Sequence, residues 1–283
     1  MEAQLVETAI LNIINHQSLI ATKTSRIVFA ANGDGIMEFG LRRAQGPDAG
    51  LYGARAAMIG GCVGTSNVLA GQMFDVPVMG THAHSWIMSF PDEYTAFKTY
   101  AEMYPDNCTL LVDTYDTLKS GVPNAIRVFQ EFKDAGKPLI KYGIRLDSGD
   151  LAYLSKEARK MLDEAGFPEA TICASNDLDE FLLHDLKMQG AAIDSWGVGT
   201  NLITSKDCPS FGGVYKLAAI QNEEGEFVPK IKISENTEKI TNPGNKTIYR
   251  IYEKASGKIK ADLICFADEV IDPKQDLLLF DPM

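Results

Sequence analysis

Short apolar runs that end in polar or charged residues recur along most of this chain, and a helical pattern follows several of them. The runs lie at residues 37–41, 62–65, 76–79, 109–112, 140–144, 171–174 and 193–198. Helices are predicted between them over 94–103, 124–135, 155–165 and 178–188. Alternating strands and helices predict a parallel sheet, and about seven strands favour a closed α/β barrel. Periodicity leaves a doubly wound open sheet as the alternative.

The pattern changes after about residue 216. Apolar and polar residues alternate over 214–220, 230–233 and 247–252, and the segment Asn242-Pro243-Gly244-Asn245 is a strong turn signal. We therefore predict a barrel domain over residues 1–218. We predict that residues 219–283 form a tail of antiparallel β structure that belongs to a second domain.

Composition limits the classes of function. The 283 residues are 45% hydrophobic, and 27 basic against 38 acidic side chains give a net charge of -11. This balance argues against a general affinity for nucleic acid or an anionic membrane. No apolar stretch is long enough to span a bilayer. The five scattered cysteines, without a CxxC spacing, indicate a reduced, cytoplasmic protein.

Groups suited to chemistry follow most of the predicted strands. They are Arg42 with Arg43 and the segments 113–116, 145–150, 175–177 and 199–201. Each has an ordinary structural explanation, since a sequence such as Asp-Ser-Gly-Asp is usually a turn and a helix cap. Because the strand ends of a parallel barrel converge on one face, we expect the five clusters to meet there.

Two of the four histidines, His82 and His84, follow the run at 76–79. A His-x-His pair at a strand end resembles some metal sites, but such sites need further histidine ligands. The other two, His16 and His184, lie in predicted helices. We therefore do not expect a metal bound by histidines. A Mg²⁺ ion held by carboxylates and substrate phosphates fits better, because Mg²⁺ prefers oxygen ligands.

Two segments suit phosphate binding. The segment Gly197-Val198-Gly199-Thr200 can present backbone N–H groups and a hydroxyl to a phosphate. Arg42 and Arg43 can clamp a diphosphate. The ordinary alternatives are a turn for the glycines and a solvated surface pair for the arginines.

Six motifs together resemble the nicotinate phosphoribosyltransferase family of type II phosphoribosyltransferases. They are EFGLRRAQGPDAG from Glu38, GTSNVLAG from Gly64, GTHAHSW from Gly80, IRLDSGDL from Ile144, GVGTNL from Gly197 and NPGNKTIYR from Asn242. The resemblance covers essentially the whole chain. It implies an irregular seven-stranded α/β barrel and a homodimer. It also implies that nicotinate and phosphoribosyl pyrophosphate give nicotinate mononucleotide and pyrophosphate in NAD salvage, with ATP as a co-substrate. Mg²⁺, held by carboxylates and substrate phosphates, is the expected cofactor.

The resemblance assigns roles to residues around the histidine pair. His84 matches the histidine that ATP phosphorylates in this family, and we expect it to be catalytic. Thr81 matches a residue of the nicotinate site, and Ser85 lies beside it. Arg145 matches the arginine that faces the nicotinate carboxylate and is also expected to be catalytic. His82 stands where the family varies, so we interpret it as a tolerated neighbour.

The remaining assignments concern the sugar, the phosphates and the choice of base. Asp147 matches a carboxylate near the ribose hydroxyls and is the third expected catalytic residue. Gly199 and Thr200 match the 5′-phosphate site, and Arg42 matches an arginine near the phosphoribosyl group. The related nicotinamide enzyme carries an aspartate where Ser66 stands, and an aspartate would repel a carboxylate. The neutral serine predicts nicotinate as the substrate.

Both ends of the sequence suggest a longer protein, because an amphipathic helix begins directly after Met1 and an apolar segment lies close to the other end. We expect that the family's N-terminal segment, which supplies an aromatic residue to the base site, is missing. Weak or no turnover is therefore expected from this chain alone. Two alternatives are a non-catalytic barrel fragment that binds a ligand or partner, and a barrel that acts on another phosphosugar.

Overall fold

The computed structural model describes residues 2–137, 139–235, 240–272 and 274–278. The chain divides into two compact units, Met1–Gly213 and Val214–Met283. This division falls shortly before residue 218, the predicted end of the barrel domain. Among the described residues, no helix combines the length and the apolar character needed to cross a membrane.

The first unit alternates helices and strands, as the sequence predicts. Its helices are α1 Glu2–Leu5, α2 Glu7–Ala31, α3 Pro47–Ile59, α4 Val68–Phe74, α5 His84–Met88, α6 Glu93–Met103, α7 Val122–Asp134, α8 Leu151–Glu164, α9 Glu180–Met188 and α10 Thr200–Ile203. Its strands are β1 Gly35–Glu38, β2 Gly64–Thr65, β3 Cys108–Leu111, β4 Tyr142–Leu146, β5 Thr171–Ala174 and β6 Ser195–Val198. A 3₁₀ turn, Leu41–Arg43, follows β1, and a π-helix, Thr117–Gly121, precedes α7.

The strands form a curled parallel sheet of six strands in the order β2-β1-β6-β5-β4-β3. The predicted parallel α/β architecture is therefore confirmed. The predicted seventh strand, at 76–79, is reduced to an isolated parallel bridge between Thr65 and Val78. Pro77 lacks the amide N–H that a longer ladder needs. The closed seven-stranded barrel is accordingly not confirmed within the described part of the chain.

Side-chain caps explain where several helices begin. The carboxylates of Asp92, Asp150 and Asp179 accept hydrogen bonds from backbone N–H groups in the first turns of α6, α8 and α9. Such caps satisfy donors that have no partner inside the helix. Helix α8 begins earlier than predicted because Asp150 caps it. Asp150 was predicted to belong to a polar cluster of the site, and its role as a helix cap is the ordinary structural explanation for it.

The core of the first unit lies between the sheet and its helices. Large side chains that are fully buried include Trp196, Phe97, Ile144, Leu146 and Ile172. Strand side chains alternate between the two faces, so the residues between these apolar positions on β4, β5 and β6 point to the other side. That second face carries the polar groups of the candidate site.

The second unit contains two antiparallel pairs. Strand β7, Ala219–Gln221, pairs with β8, Phe227–Pro229, and β9, Lys246–Tyr252, pairs with β10, Ile259–Phe266. The predicted antiparallel character is confirmed. The alternating residues 230–233 follow directly after β8, which ends at Pro229. Of the predicted tail, residues 236–239, 273 and 279–283 lie outside the described residues.

Candidate active site

A cleft of about 420 Å³ opens at the carboxyl ends of the parallel strands of the first unit. Polar groups after β1, β4, β5 and β6 and from the loop before α5 line it, so four of the five predicted clusters contribute. The fifth, 113–116 after β3, does not line the cleft, but its first two residues contact Asp147 and His84. The residues assigned to the site from the sequence that line this cleft are Arg42, Thr81, His84, Arg145, Asp147, Gly199 and Thr200. Ser66, the residue linked to the choice of base, lines it too.

Arg145, on β4, is held by three side chains. Its Nη1 donates to Thr81 Oγ1 at 2.8 Å, its Nε to Ser175 Oγ at 2.8 Å and its Nη2 to Asp147 Oδ1 at 2.9 Å. A guanidinium carries five N–H donors in a rigid fork. These described partners use one donor on each terminal nitrogen and leave the second donor on each for another group. The arrangement suits a planar carboxylate.

The aromatic ring of Phe39 lies against the same guanidinium. The Arg145 Cζ atom is 5.5 Å from the ring centroid, which is within the range of a cation–π contact. Gly197 on β6 makes room for the ring, because a Cβ atom at this position would overlap the aromatic carbons of Phe39. Gly197 was predicted as part of a phosphate loop, and in the structure it also shapes the floor of the cleft. No role was predicted for Phe39.

Asp147 connects the arginine to the histidine. Its Oδ1 accepts hydrogen bonds from Arg145 and from the Ser175 hydroxyl, and its Oδ2 lies 3.6 Å from His84 Nε2. Burial alone would raise the pKa of Asp147, but the Ser175 hydrogen bond and the charge of Arg145 outweigh it and lower the pKa. Asp147 is therefore an anion at neutral pH.

His84 is the first residue of α5, directly after the loop that carries Thr81. Its Nδ1 lies 3.1 Å from Thr114 Oγ1, and its side chain is 39% exposed. The hydrogen bond to Thr114 fixes the orientation of the ring, and the exposure leaves the ring accessible from the cleft. Ser85, the next residue, is exposed and is not among the residues that line the cleft. Its role in the base site stays a prediction.

Asp113, just after β3, braces the loop that carries Asp147. Its Oδ2 accepts hydrogen bonds from the Asp147 N–H at 3.2 Å and from the Ser148 hydroxyl. Its Oδ1 is buried and has no hydrogen-bond partner among the described residues. An unpaired buried carboxylate oxygen beside a second carboxylate fits a hard cation such as Mg²⁺. The described residues contain no cluster of three or more His, Cys, Asp or Glu side chains suited to a metal.

The loop after β5 has a backbone conformation that the sequence did not reveal. Asn176 and Asp177 have φ angles of 95° and 29°, in the left-handed region that non-glycine residues rarely adopt. The buried Asn201 side chain donates to the carbonyl groups of Asp177 at 2.7 Å and Leu178 at 3.1 Å. These bonds hold the loop, and therefore Ser175, against the cleft. A contact between residues that are more than twenty positions apart leaves no local signal in the sequence, so it could not be predicted.

Glu38 joins the ends of β1 and β2 beneath Ser66. Its Oε2 accepts a hydrogen bond from Thr65 Oγ1 at 2.6 Å, and its Oε1 accepts from the Gly40 N–H. Burial raises the pKa of this carboxyl group, and the two hydrogen bonds partly oppose the increase. The Ser66 N–H donates to the Glu38 carbonyl at 3.0 Å. The backbone at Glu38 thus helps to position Ser66 in the cleft.

Comparison with known protein families gives one consistent result. The model of the nicotinate phosphoribosyltransferase (NAPRTase) family matches residues 35–255. The model of the nicotinate phosphoribosyltransferase C-terminal domain matches residues 245–283. Together they match residues 35–283.

Individual relatives agree with the family models. A nicotinate phosphoribosyltransferase of Bacillus subtilis (strain 168) is 56% identical over 283 residues, which are 100% of this chain and 57% of that protein. The crystal structure of human nicotinic acid phosphoribosyltransferase has a TM-score of 0.78 at 31% identity, covering 95% of this chain and 59% of that one. A nicotinate-nucleotide pyrophosphorylase from Pyrococcus furiosus has a TM-score of 0.70 at 27% identity, covering 94% and 62%. The chain spans about three fifths of the length of these relatives.

Proposed function

Because the chain belongs to the nicotinate phosphoribosyltransferase family, we propose that it converts nicotinate and phosphoribosyl pyrophosphate into nicotinate mononucleotide and pyrophosphate in NAD salvage. The observation that carries this proposal is the setting of Arg145. Three side chains fix the guanidinium in the cleft, and each terminal nitrogen keeps a donor for a carboxylate. A charged, oriented arginine is the group that distinguishes nicotinate from its neutral amide.

The base site is completed by an aromatic face and a neutral hydroxyl. The Phe39 ring lies against the guanidinium of Arg145, and Ser66 lines the cleft without a negative charge. A carboxylate therefore meets donors and is not repelled by an acidic side chain at this position. These features support nicotinate over nicotinamide as the substrate.

The phosphoribosyl half of the reaction uses the other residues of the cleft. Arg42, Arg43, Gly199 and Thr200 line it and suit the phosphate groups. When the pyridine nitrogen attacks the anomeric carbon, pyrophosphate leaves and positive charge develops on the ribose ring. The ionised Asp147 stabilises that charge, so catalysis consists of positioning and electrostatic stabilisation.

His84 is the proposed acceptor of a phosphoryl group from ATP. With the proton on Nδ1 donated to Thr114, the lone pair on Nε2 forms the N–P bond while the bond from the γ-phosphorus to ADP breaks. The new phosphate carries about two negative charges by analogy with other phospho-residues. It would change the charge beside Asp147 and the arginines, which offers a route for coupling ATP hydrolysis to the reaction.

Incubation with γ-labelled ATP tests this step. We expect an acid-labile label on the wild-type chain and no label on His84→Ala, because the acceptor nitrogen is gone. The matched control is His184→Ala, which removes an exposed histidine on α9 and should leave the label unchanged. A label that survives the His84 substitution would contradict the assignment.

Mg²⁺ is proposed as the cofactor, with Asp113 and Asp147 as the protein groups that would hold it. The support is the unpaired buried oxygen of Asp113 and the contact between the two residues. When bound, the ion would neutralise charge on the substrate phosphates.

The family resemblance also supports a homodimer and a closed, TIM-like barrel of seven strands, and we propose both. Leu5 at the end of α1 and Ile13 and Ile14 in the first half of α2 are each at least half exposed, and such an apolar surface suits a partner. The isolated bridge at Val78 supports a seventh strand in this segment. The five free cysteines support the cytoplasm as the location.

Calorimetric titration with nicotinate and nicotinamide tests the proposed function. We expect the chain to bind nicotinate more tightly. Arg145→Gln should weaken nicotinate binding by about tenfold or more, because a hydrogen bond between two charged groups contributes about 1.5–3 kcal/mol. Binding of nicotinamide should change far less in the same variant.

Arg55→Gln is the matched control for this experiment, since Arg55 pairs with Gln17 and does not line the cleft. It should leave both affinities unchanged. Equal affinity of the wild type for the acid and the amide, or nicotinate binding that is indifferent to Arg145→Gln, would refute the proposed substrate.

A further inference from the structure

The sheet ends at β3, and one N–H group of its free edge has an unusual partner. The N–H groups of Cys108 and Val112 donate to the carbonyls of Lys141 and Arg145 beside β4. Alternate residues of a parallel strand bond to the same neighbour, so the N–H of Leu111 points away from β4. It donates to His82 Nε2 at 3.3 Å. A side chain thus occupies the place of a neighbouring strand.

The same short segment touches the opposite edge of the sheet. The Thr65 N–H on β2 donates to the Pro77 carbonyl at 3.0 Å, and the Met79 N–H donates to the Thr65 carbonyl at 2.9 Å. Residues 77–82 therefore contact β2 through their backbone and β3 through the His82 ring. We call this contact between His82 and Leu111 the seam.

The surroundings of His82 keep its ring in place. The residue is 8% exposed, the Tyr100 ring meets it edge-on at 4.6 Å and the Phe97 ring lies 6.2 Å away. Burial, reinforced by the charges of Arg145 and His84, lowers the pKa of His82 to about 4. The ring is therefore neutral near pH 7, and an unprotonated Nε2 is required to accept the Leu111 N–H.

We propose that His82 is a positioning residue, whose Nε2 fastens the loop before α5 to the free edge of β3 and so holds Thr81 and His84 in the cleft. Thr81, on one side of it, accepts the hydrogen bond from Arg145. His84, on the other side, contacts Thr114. One ring thereby fixes the spacing between a base-site group and the histidine. The functional part of this inference rests on the proposed function.

Two substitutions separate the hydrogen bond from the packing. His82→Phe keeps an aromatic ring against Tyr100 but has no acceptor, whereas His82→Gln keeps an acceptor at a similar reach. In His82→Phe we expect the amide hydrogen of Leu111 to exchange with solvent about three- to tenfold faster, which is the effect of losing one net hydrogen bond. We also expect weaker nicotinate binding in this variant. His82→Gln should restore both towards wild type, and His184→Phe, an exposed control, should change neither.

A rescue by glutamine is a result that loss of packing alone would not produce. Unchanged Leu111 exchange in His82→Phe, or identical behaviour of the Phe and Gln variants, would overturn the proposal. Nitrogen-15 NMR of the His82 ring in the wild type tests the seam without any variant, because a protonated Nε2 at neutral pH is incompatible with the seam. If the wild type binds no nicotinate, the proposed function fails, while the exchange and NMR results still decide whether the seam exists.

Discussion

The two histidines of the His-x-His pair have different surroundings although one residue separates them. His82 is buried against Tyr100 and Leu111, whereas His84 is accessible and contacts Thr114 and Asp147. Their proposed roles follow from this difference, because the buried His82 ring accepts a hydrogen bond from β3, whereas the His84 ring is accessible from the cleft. The interpretation of His82 as a tolerated neighbour missed its bond to β3, because a contact across 29 residues has no signature in a short motif.

The lowered pKa of His82 predicts how stability changes in mild acid. In the unfolded chain the ring takes up a proton near its ordinary pKa of 6.5, but in the folded protein it does so only near 4. Between these values the unfolded state binds more protons, so the free energy of unfolding falls as the pH falls, by up to about 1.4 kcal/mol per pH unit. His82→Gln should remove this contribution and flatten the acid limb in urea unfolding.

Other groups titrate in both proteins: burial raises the pKa of Glu38, which favours the folded state as the pH falls, and this contribution cancels in the comparison. Burial also lowers the pKa of His16, but His16 is present in both proteins and cancels in the comparison. The lowered pKa of Asp147 stabilises the fold above its ordinary value of 3.8, and that contribution is lost only as the pH falls below it. Parallel acid limbs for the wild type and His82→Gln between pH 6.5 and about 4 would show that His82 is not a buried neutral ring.

At the scale of elements, the sequence was most informative where an apolar strand leads into polar residues. Strands β3, β4, β5 and β6 lie within two residues of their predicted positions, because buried parallel strands read as short apolar runs. The run at 76–79 looks the same in composition, yet it forms only a bridge. Proline at its second position limits the ladder, and the ring of His82 supplies the contact to β3.

In the candidate site, too, some residues could be predicted from the sequence and others could not. Arg145, Asp147 and Thr200 belong to clusters that could be located because they follow strand ends, where parallel topology forces convergence. Their individual roles were assigned by the family resemblance. Phe39 and Asn201 could not be assigned, since the ring acts by lying under Arg145 and the amide by holding a strained loop. Such contacts depend on how distant segments pack and leave no periodic pattern in the sequence.

At the scale of the whole first unit, a buried ion cluster joins segments that are far apart in the chain. Lys23 Nζ on α2 lies 2.7 Å from Glu180 Oε2 on α9 and 2.7 Å from Asp207 Oδ1 near the end of the unit. Arg26 contacts the same two carboxylates at 2.8 and 3.2 Å. The pairing ties the first long helix of the unit to its last segment. Nothing in the local sequence around these residues predicts it.

Breaking this cluster should cost far more stability than breaking a pair at the surface. Lys23 and Glu180 have side chains that are only 3% and 8% exposed, and removal of one partner from a buried pair costs about 3–5 kcal/mol because the other charge is left without compensation. Lys23 keeps its contact with Asp207 in Glu180→Gln, so we expect this variant to lower the free energy of unfolding by less than that amount but by more than about 1 kcal/mol, measured by urea denaturation. The double variant Lys23→Met with Glu180→Leu should lose less than Glu180→Gln alone, because no unpaired charge stays buried.

Lys98→Met, which breaks a pair whose side chains are 43% and 36% exposed, is the control and should cost less than about 1 kcal/mol. A Glu180→Gln protein that is as stable as this control would show that the cluster does not hold the first unit together.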